Sequence, residues 1–257
     1  MQIRVPVAAV AAVLAIAAVV AGCGGGKLPA SAVATGAAHG GAAKASAAAL
    51  PGHSTLARPG FSIVATALHG HVTLYRRPGG GPLLRVQRSP DPRFPLVLLV
   101  KQARPGWLEV RLPVRPNQST AWIRQAEVAV RYDAYRLDIQ LRSHRLTLWR
   151  GRRPLDRQRI AVGTAATPTP NGVYYVIQQF RLSDPGGPYG PYALGLSGYS
   201  NVLKSFGSGP GQIALHGTND PGSIGSNVSH GCIHLSNPEI TRLAHLLPLG
   251  TPVRILA

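Results

Sequence analysis

Apolar and polar residues alternate through much of the second half of the chain. Segments 135–141 and 144–149 both alternate and are separated by two polar residues, so they are predicted to form a β-hairpin. Further strands are predicted at 157–162, 173–180, 212–216 and 252–256. One helix is predicted to begin at Ser236, which can cap it, with Pro238 in its first turn. Residues 132–257 are therefore predicted to form a β-rich domain with one short helix.

Segment 59–131 is predicted to form a smaller folded module. Apolar runs at 95–100 and 107–112 are typical of strands, and clusters rich in Gly and Pro separate them. Short strands with frequent turns indicate a small antiparallel barrel or sandwich. The pattern around Trp107 and Trp122 resembles the small Src-homology-type β-barrels found beside bacterial cell-wall enzymes. Both tryptophans can serve a core or a ligand platform, and the core is the favoured interpretation.

The amino terminus has the composition of an export signal. Residues 1–4 give a short basic start, 5–20 are almost entirely Ala, Val, Leu and Ile, and small residues precede Cys23. This layout predicts a secretory signal over 1–22. The ending Val20-Ala-Gly-Cys23 resembles a bacterial lipobox, which implies that Cys23 becomes the lipidated first residue of the mature protein. An uncleaved membrane anchor is the alternative, because the apolar run approaches the length that spans a bilayer.

The next segment, 23–58, is rich in Gly, Ala, Ser and Thr and shows no aliphatic periodicity. It is predicted to be a flexible tether. Whether the anchor is a lipid or an apolar segment, the folded part of the chain is expected outside the cytoplasmic membrane.

Charge narrows the range of partners. The formal net charge is +18, with 27 Lys and Arg against nine Asp and Glu. Such a chain can bind nucleic acid, anionic lipid or an acidic polymer. The sequence has no long run of consecutive basic residues and no nucleic-acid-binding motif. Nucleic acid is therefore not predicted as a partner, and an anionic surface outside the membrane is favoured.

The candidate chemistry lies near the carboxyl terminus. A predicted strand ends at His216, and after a Gly-rich loop the chain presents Cys232 beside His230 and Gly231. Cysteine catalysis needs a base, because a free thiol has a pKa of about 8.5. It also needs backbone N–H donors for the developing oxyanion, and a glycine beside the nucleophile leaves them accessible. Cys232 is the candidate nucleophile, with His216, His230 and His234 as candidate bases.

Three other uses of these residues stay open. Cys232 can form a disulfide with Cys23 if Cys23 is not lipidated. His230, Cys232 and His234 can place zinc ligands on one face of a strand, although paired Cys-x-x-Cys ligands are absent. Cys232 can also be a buried residue beside surface histidines. The nucleophile interpretation is favoured over all three, and no metal is predicted.

Two motifs resemble the L,D-transpeptidase family. His216-Gly-Thr218 and Ser229-His-Gly-Cys232 together resemble the family signature. The segment Val162-Gly-Thr-Ala-Ala-Thr-Pro-Thr-Pro-Asn-Gly-Val-Tyr-Tyr175 resembles a second family segment. The resemblance begins near residue 135 and reaches the end of the chain. It implies a mainly β fold, an L,D-transpeptidase-type β-sandwich with one short helix, preceded here by the small β-barrel-like module.

The resemblance also implies a role for each site residue. Cys232 is the nucleophile, and His216 is the proton acceptor, oriented through the backbone carbonyl of Gly217. The backbone N–H groups of His230, Gly231 and Cys232 form the oxyanion site. Strand spacing alone slightly favours His230 as the base, because residues two apart share a face, whereas the family pattern selects His216.

Three further positions follow from the same resemblance. Ser229 shapes the nucleophile turn, and Tyr199 lies in a region that forms part of the substrate cleft in relatives. His234 stands where the family usually has Arg. Since His is not always charged and cannot bind in a bidentate manner, substrate positioning or pH dependence is expected to differ.

The implied substrate is the stem peptide of peptidoglycan. Cys232 attacks the carbonyl of a diamino acid, expels D-Ala and is left as a thioester, and an acceptor amine then forms a cross-link. No cofactor is needed, and a monomer tethered to the membrane and facing the cell wall is expected. Water or a protein amine are alternative acceptors, and a catalytically silent wall-binding lipoprotein is the alternative from another class.

Overall fold

A computed structural model describes residues 59–87, 93–207 and 209–257. The predicted signal, the lipidation site at Cys23 and the tether lie outside these residues. Within the described ranges, no helix has the length and apolar character required to cross a bilayer.

The first module is one antiparallel sheet of seven strands. These are β1 (Ser62–Ala67), β2 (His71–Tyr75), β3 (Pro82–Gln87), β4 (Val97–Arg104), β5 (Trp107–Arg111), β6 (Thr120–Arg124) and β7 (Val128–Asp133), in the order β3-β2-β6-β5-β4-β1-β7. Val72 and Leu74 of β2 join Leu108 and Val110 of β5 in an apolar cluster, because alternate residues of each strand face it. Trp122 is buried, as the core interpretation predicts.

The second module begins one residue after the first ends. Its strands are β8 (Tyr135–Gln140), β9 (Arg145–Arg150), β10 (Arg153–Arg159), β11 (Val162–Gly163), β12 (Gly172–Arg181), β13 (Tyr192–Tyr199), β14 (Gln212–His216), β15 (Asn227–Ser229), β16 (Ile233–His234) and β17 (Pro252–Leu256). Eight of them form a sheet in the order β10-β9-β8-β17-β12-β13-β14-β16, and β11 pairs with β15. The predicted hairpin is present as the antiparallel pair β8 and β9. The mainly β fold predicted from the sequence is confirmed.

The single α-helix of the described residues, α1 (Asn237–Leu246), covers the strands that carry the site. Ile240 and Leu243 pack from the helix into the same cluster as Leu194 of β13 and Leu215 of β14. The helix starts after Ser236, as predicted, and Pro238 lies in its first turn, where a missing N–H costs no helical hydrogen bond.

The two modules share an apolar contact. Tyr175 of β12 is fully buried and packs with Val64, Val97 and Leu99 of the first module. Its hydroxyl donates a hydrogen bond of 2.9 Å to the Arg111 carbonyl. This contact joins β12, near the middle of the eight-stranded sheet, to one face of the seven-stranded sheet.

Candidate active site

Parallel pairing of β14 with β16 assembles the predicted site. In this register His216 lies opposite His234, and Leu215 lies opposite Ile233. Cys232 precedes β16 by one residue and lines the same cleft as His216 and His234. Because residues two apart on a strand share a face, the thiol and both imidazoles reach the same side of the sheet. The sequence-predicted nucleophile and base therefore lie in one cleft, together with His230.

His216 is held as a neutral imidazole. Its Nδ1 lies 2.7 Å from the Gly217 carbonyl oxygen, the partner that the family resemblance implies. Since a carbonyl can only accept, Nδ1 carries the proton and Nε2 is the nitrogen able to take another. Burial, and after it the neighbouring His234, lowers the pKa of His216 to about 3, against the opposing effect of the Gly217 hydrogen bond. The ring is therefore an available proton acceptor at neutral pH.

Cys232 has a free thiol at the floor of the cleft. Burial raises the pKa of Cys232, and the hydrogen bond with the Ala214 backbone only partly offsets this effect. The thiol thus keeps its proton at neutral pH until an acceptor removes it. The resting pair is a neutral thiol and a neutral imidazole, which suits general-base activation rather than a stored thiolate.

Ser229 fixes the turn that carries the nucleophile. Its hydroxyl donates to the Cys232 carbonyl oxygen at 2.6 Å and accepts from the Gly231 N–H at 3.0 Å. Gly231 has φ +116, a conformation that other residues rarely adopt. The Ser229 role implied by the resemblance matches this arrangement.

One predicted role in this turn needs correction. The Gly231 N–H is bound to Ser229 Oγ, so it is not free to stabilise an oxyanion. The backbone N–H groups of His230 and Cys232 remain as candidate donors. Gly231 contributes the backbone geometry instead of a hydrogen bond.

Three threonines hold the turn at residues 229–232 in place through hydrogen bonds. Thr169 donates to the Gly231 carbonyl at 2.9 Å and accepts from the Gly163 N–H at 2.9 Å. Thr167 donates to the Ser229 carbonyl at 3.1 Å, and the Thr164 N–H donates to the same oxygen at 3.0 Å. These residues belong to the second family-like segment, whose motif was visible in the sequence although no role could be derived from it.

Two exposed aromatic rings line the cleft and were not predicted. Tyr189 packs edge-on against His216 with centroids 4.9 Å apart, and Phe206 lies 5.2 Å from the His230 ring. Burial raises the pKa of Tyr189, and Cys232 adds to the effect. Both rings lie in loops rich in Gly and Pro, where apolar periodicity gives no signal. An aromatic residue isolated in such a loop is the sequence feature that could have identified them.

His234 lies beside His216 and also lines the cleft. Its ring centroid is 4.4 Å from that of His216, and its Nδ1 is buried without a hydrogen-bond partner. Burial lowers the pKa of His234, and His230 acts in the same direction, whereas Asp220 opposes the shift. The position where the resemblance implies Arg thus holds a ring that disfavours protonation of His216.

Tyr199 lies away from the cleft. Its side chain is buried, and its hydroxyl donates to the Pro113 carbonyl of the first module at 3.0 Å. The substrate-binding role predicted for Tyr199 is therefore not supported by its position. Its neighbours Ser200 and Leu203 line the cleft instead. Among the described residues, no group of three or more His, Cys, Asp or Glu side chains is arranged to hold a metal ion.

Part of the chain matches a known protein family. Residues 134–255 match the family model of the YkuD-type L,D-transpeptidase catalytic domain. The matched residues lie in the second module and include Cys232 and His216. The Bacillus subtilis relative named YkuD is 39% identical over 121 residues, which cover 47% of this chain and 65% of that protein. The Escherichia coli relative named YbiS is 39% identical over 72 residues, which cover 28% of this chain and 19% of that protein. The chain thus spans less than two thirds of the length of these curated relatives.

Solved structures of L,D-transpeptidases resemble the chain at low identity. One from Mycobacterium smegmatis has a TM-score of 0.41 and 15% identity, covering 63% of this chain and 90% of that one. Another, described as an L,D-transpeptidase in complex with imipenem, has a TM-score of 0.39 and 20% identity, covering 76% of this chain and 82% of that one.

Proposed function

We propose that the protein is a peptidoglycan L,D-transpeptidase in which Cys232 forms an acyl-enzyme. The observation that supports this most directly is the Nδ1 hydrogen bond of His216 to Gly217, 2.7 Å long. It sets the tautomer in which Nε2 can accept the proton of the neighbouring thiol. A cysteine and an oriented, neutral histidine in one cleft are the minimum for acyl transfer through a thioester.

In the first half-reaction, Cys232 Sγ attacks the carbonyl carbon of the diamino acid that precedes the terminal D-Ala. The thiol proton passes to His216 Nε2 as the carbon–sulfur bond forms. The backbone N–H groups of His230 and Cys232 stabilise the oxyanion of the tetrahedral intermediate. Collapse of the intermediate breaks the amide bond, and His216 returns the proton to the amine of the departing D-Ala. The enzyme is left as a thioester.

In the second half-reaction, the side-chain amine of an acceptor stem attacks the thioester carbonyl. His216 takes a proton from this amine and gives it to the Cys232 sulfur as the thioester breaks. One amide bond is lost and one is formed, so no nucleotide is consumed. With water as the acceptor the same enzyme is a carboxypeptidase, and with a protein amine it attaches that protein to the wall.

The amino terminus supports a site of action outside the cytoplasmic membrane. We infer that residues 1–22 are removed and that Cys23 carries the lipid, from the basic start, the apolar run and the Val20-Ala-Gly-Cys23 ending. The mature protein would act as a monomer on the wall polymer. The full sequence has a net charge of +18, and Arg4 is the only charged side chain of the removed segment, so the mature protein stays strongly basic and is drawn to an anionic surface.

Incubation with labelled muropeptides tests the function. Purified protein lacking the first 22 residues should convert a tetrapeptide donor and a second stem into a cross-linked dimer with release of D-Ala, as read by mass spectrometry. Cys232→Ala should give neither product. Tripeptide without dimer would assign the carboxypeptidase alternative, and no D-Ala release from any stem would refute the proposal.

Imipenem provides a second acyl donor, because a relative has been solved in complex with it. A single adduct on the intact protein, absent from Cys232→Ala, is expected. An adduct that persists in Cys232→Ala would contradict the nucleophile assignment.

A further inference from the structure

The wall of the cleft that carries Phe206 is a loop between β13 and β14. We name residues 200–211, of which Ser208 lies outside the described ranges, the cleft loop. Its members Ser200, Leu203 and Phe206 line the cleft. A backbone hydrogen bond of 2.8 Å from the Ser200 N–H to the Gly211 carbonyl joins the two ends of this loop, which we call its neck.

A residue of the other module occupies this neck. Arg115 lies between β5 and β6 of the first module, and its guanidinium donates three hydrogen bonds to cleft-loop carbonyls. Nη1 binds the Ser200 carbonyl at 2.5 Å, and Nη2 binds the Leu203 and Pro210 carbonyls at 2.9 and 2.8 Å. These carbonyls come from both ends of the loop. One planar, charged group therefore ties the two ends together, which a single ammonium cannot do with the same geometry.

The same segment of the first module is fixed to the strand before the loop. Asn117 accepts from the Tyr199 N–H at 2.9 Å and donates to the Tyr199 carbonyl at 2.7 Å, as a neighbouring strand would. The Arg115 guanidinium lies 5.0 Å from the Tyr199 ring centroid. The segment that carries Arg115 is thus fixed to the end of β13 before the guanidinium reaches the loop.

Gly211 lies where Arg115 and the two ends of the cleft loop are in close contact. It has φ +70, and a Cβ at this position would lie 2.5 Å from the Leu203 carbonyl oxygen and 3.2 Å from Arg115 Nη2. A side chain here would push the loop away from the guanidinium. The glycine and the arginine together make the tight neck possible.

We propose that Arg115 is a positioning residue through which the first module sets the cleft wall of the second. By holding the neck of the cleft loop, it fixes the position of Leu203 and Phe206 relative to Cys232. It has no contact with the thiol, so its effect falls on how a long acyl donor is held and not on the reactivity of the sulfur. The activity part of this proposal rests on the proposed function, whereas the structural part does not.

Trypsin tests the structural part directly. Lys204 is exposed and is the single Lys or Arg of the cleft loop, so cleavage after it reports on loop opening. Arg115→Ala should accelerate appearance of the 205–257 fragment by about tenfold or more, the effect of losing a charge-assisted hydrogen bond. Arg76→Ala, which removes an exposed arginine of the same module, is the matched control and should be cut like the parent. Equal rates for both variants would overturn the proposal.

Kinetics test the consequence for the cleft. With a muropeptide donor, Arg115→Ala should raise KM about ten- to a hundredfold, since small displacements of positioning groups have effects of this size. Alkylation of Cys232 by iodoacetamide should stay within about twofold of the parent, because the thiol and base are untouched. Arg115→Lys separates positioning from charge: a lysine keeps the charge and should remain defective, and full rescue by lysine would refute positioning by the guanidinium.

The outcomes distinguish this inference from the proposed function. If the parent acts on no muropeptide, the proposed function fails, and the trypsin rates still decide whether Arg115 holds the loop. Phe206→Ala should raise KM similarly, and the double variant with Arg115→Ala should add little, since both changes remove the same wall. Fully additive effects would contradict the proposal. Near-ultraviolet circular dichroism of each variant identifies a global loss of fold.

Discussion

At the scale of single residues, the site stores no charge. Burial disfavours the imidazolium form of His216 and the thiolate form of Cys232. It therefore lowers the pKa of His216 and raises the pKa of Cys232. His234 lowers the pKa of His216 further, because positive charges on two neighbouring imidazoles would repel each other. In the proposed mechanism the thiolate therefore forms during attack, and His216 Nε2 accepts the proton because Nδ1 is bound to the Gly217 carbonyl.

The base assignment gives the first prediction. Loss of a general base lowers a rate by about 10²–10⁴-fold, so His216→Ala should slow acylation of Cys232 by imipenem by that order. His230→Gln should have a weaker effect, because His230 is exposed and lies against Phe206. Acylation rates against pH, with circular dichroism to confirm folding, are the measurement. A dead His230→Gln beside an active His216→Ala would move the base to His230.

The lowered pKa of His216 also predicts how stability depends on pH. The pKa is about 3 in the folded protein and 6.5 for an unperturbed histidine, so between these values the unfolded chain binds the extra proton. The free energy of unfolding should therefore fall as pH falls from about 6.5 toward 3, by up to about 1.4 kcal/mol per pH unit from this residue. His216→Gln should flatten that slope.

Urea denaturation at several pH values between 4.5 and 6.5 measures the slope. His69→Gln is the matched control, since His69 is exposed and its replacement should leave the dependence of the parent intact. Some slope should remain in His216→Gln, because the pKa of His234 is lowered in the same direction. Identical slopes for His216→Gln and the parent would show that His216 is not the buried neutral group described above.

Sequence reasoning identified the candidate site residues but not all of their hydrogen bonds. Cys232, His216 and the Gly217 carbonyl follow from motif positions, and the structure brings them together. The Gly231 N–H was predicted as an oxyanion donor, yet the Ser229 hydroxyl two residues away takes it. Such competition between a side chain and a ligand for one N–H depends on a rotamer, which residue identity does not specify.

At the scale of elements, the nucleophile turn depends on the threonine segment that follows β11. Thr169 is buried and bonds to both the Gly163 N–H and the Gly231 carbonyl. Gly163 must be a glycine, because a Cβ there would lie 2.3 Å from the Thr167 carbonyl oxygen. The segment and the turn therefore act as one rigid support for the sulfur.

Thr169→Val tests this support. The substitution keeps the shape and leaves a buried N–H and a buried carbonyl without partners, at about 1–3 kcal/mol each. We expect a loss of about 2–6 kcal/mol in the free energy of unfolding and acylation slowed by about tenfold or more. Thr147→Val, at a similarly buried threonine of β9 away from the cleft, should do neither. Equal behaviour of the two variants in urea denaturation and imipenem acylation would exclude the support.

The strands that alternate were predictable, whereas β13 and the short strands β15 and β16 were not predicted. β14 and β17 coincide with their predicted bounds, and β8, β9 and the start of α1 differ from theirs by one residue. β10 begins four residues before the strand predicted at 157–162. β13 was not predicted, because it is buried along nearly its whole length and contains Gly195 and Gly198. A Cβ at Gly198 would lie 2.4 Å from the Tyr174 ring, so the glycine reflects a neighbour that only the fold reveals.

At the scale of the whole molecule, the two modules are bound by more than the Arg115 contact. Asp133, the last residue of β7, accepts a hydrogen bond of 2.7 Å from Thr251 near the start of β17. Arg131 of β7 donates to the Leu249 carbonyl of the second module. Tyr175 adds a fully buried ring to the apolar contact. None of these contacts has a pattern in the sequence, because each joins residues far apart in the chain.

Contacts of this kind predict that the modules unfold as one unit. Tyr175 belongs to the second module but packs on Val64, Val97 and Leu99 of the first. Replacing a buried aromatic residue by alanine typically costs about 3–5 kcal/mol, and in a cooperative unit both modules lose that stability. Tyr175→Ala should therefore shift the urea midpoint of the first module as far as that of the second. Leu155→Ala, at an exposed position of β10, should shift neither.

Separate probes can follow the two modules. In Trp149→Phe the remaining tryptophans, Trp107 and Trp122, both lie in the first module, so their emission reports on that module alone. Pulse proteolysis across the same urea series, with fragments identified by mass, reports whether the second module survives without the first. Coincident midpoints that move together in Tyr175→Ala are expected. Two separate midpoints, or a Tyr175→Ala shift confined to the second module, would show that the modules fold independently and that their contact only orients them. In that case Arg115 would still hold the cleft loop, but through docking of two stable modules and not through a shared core.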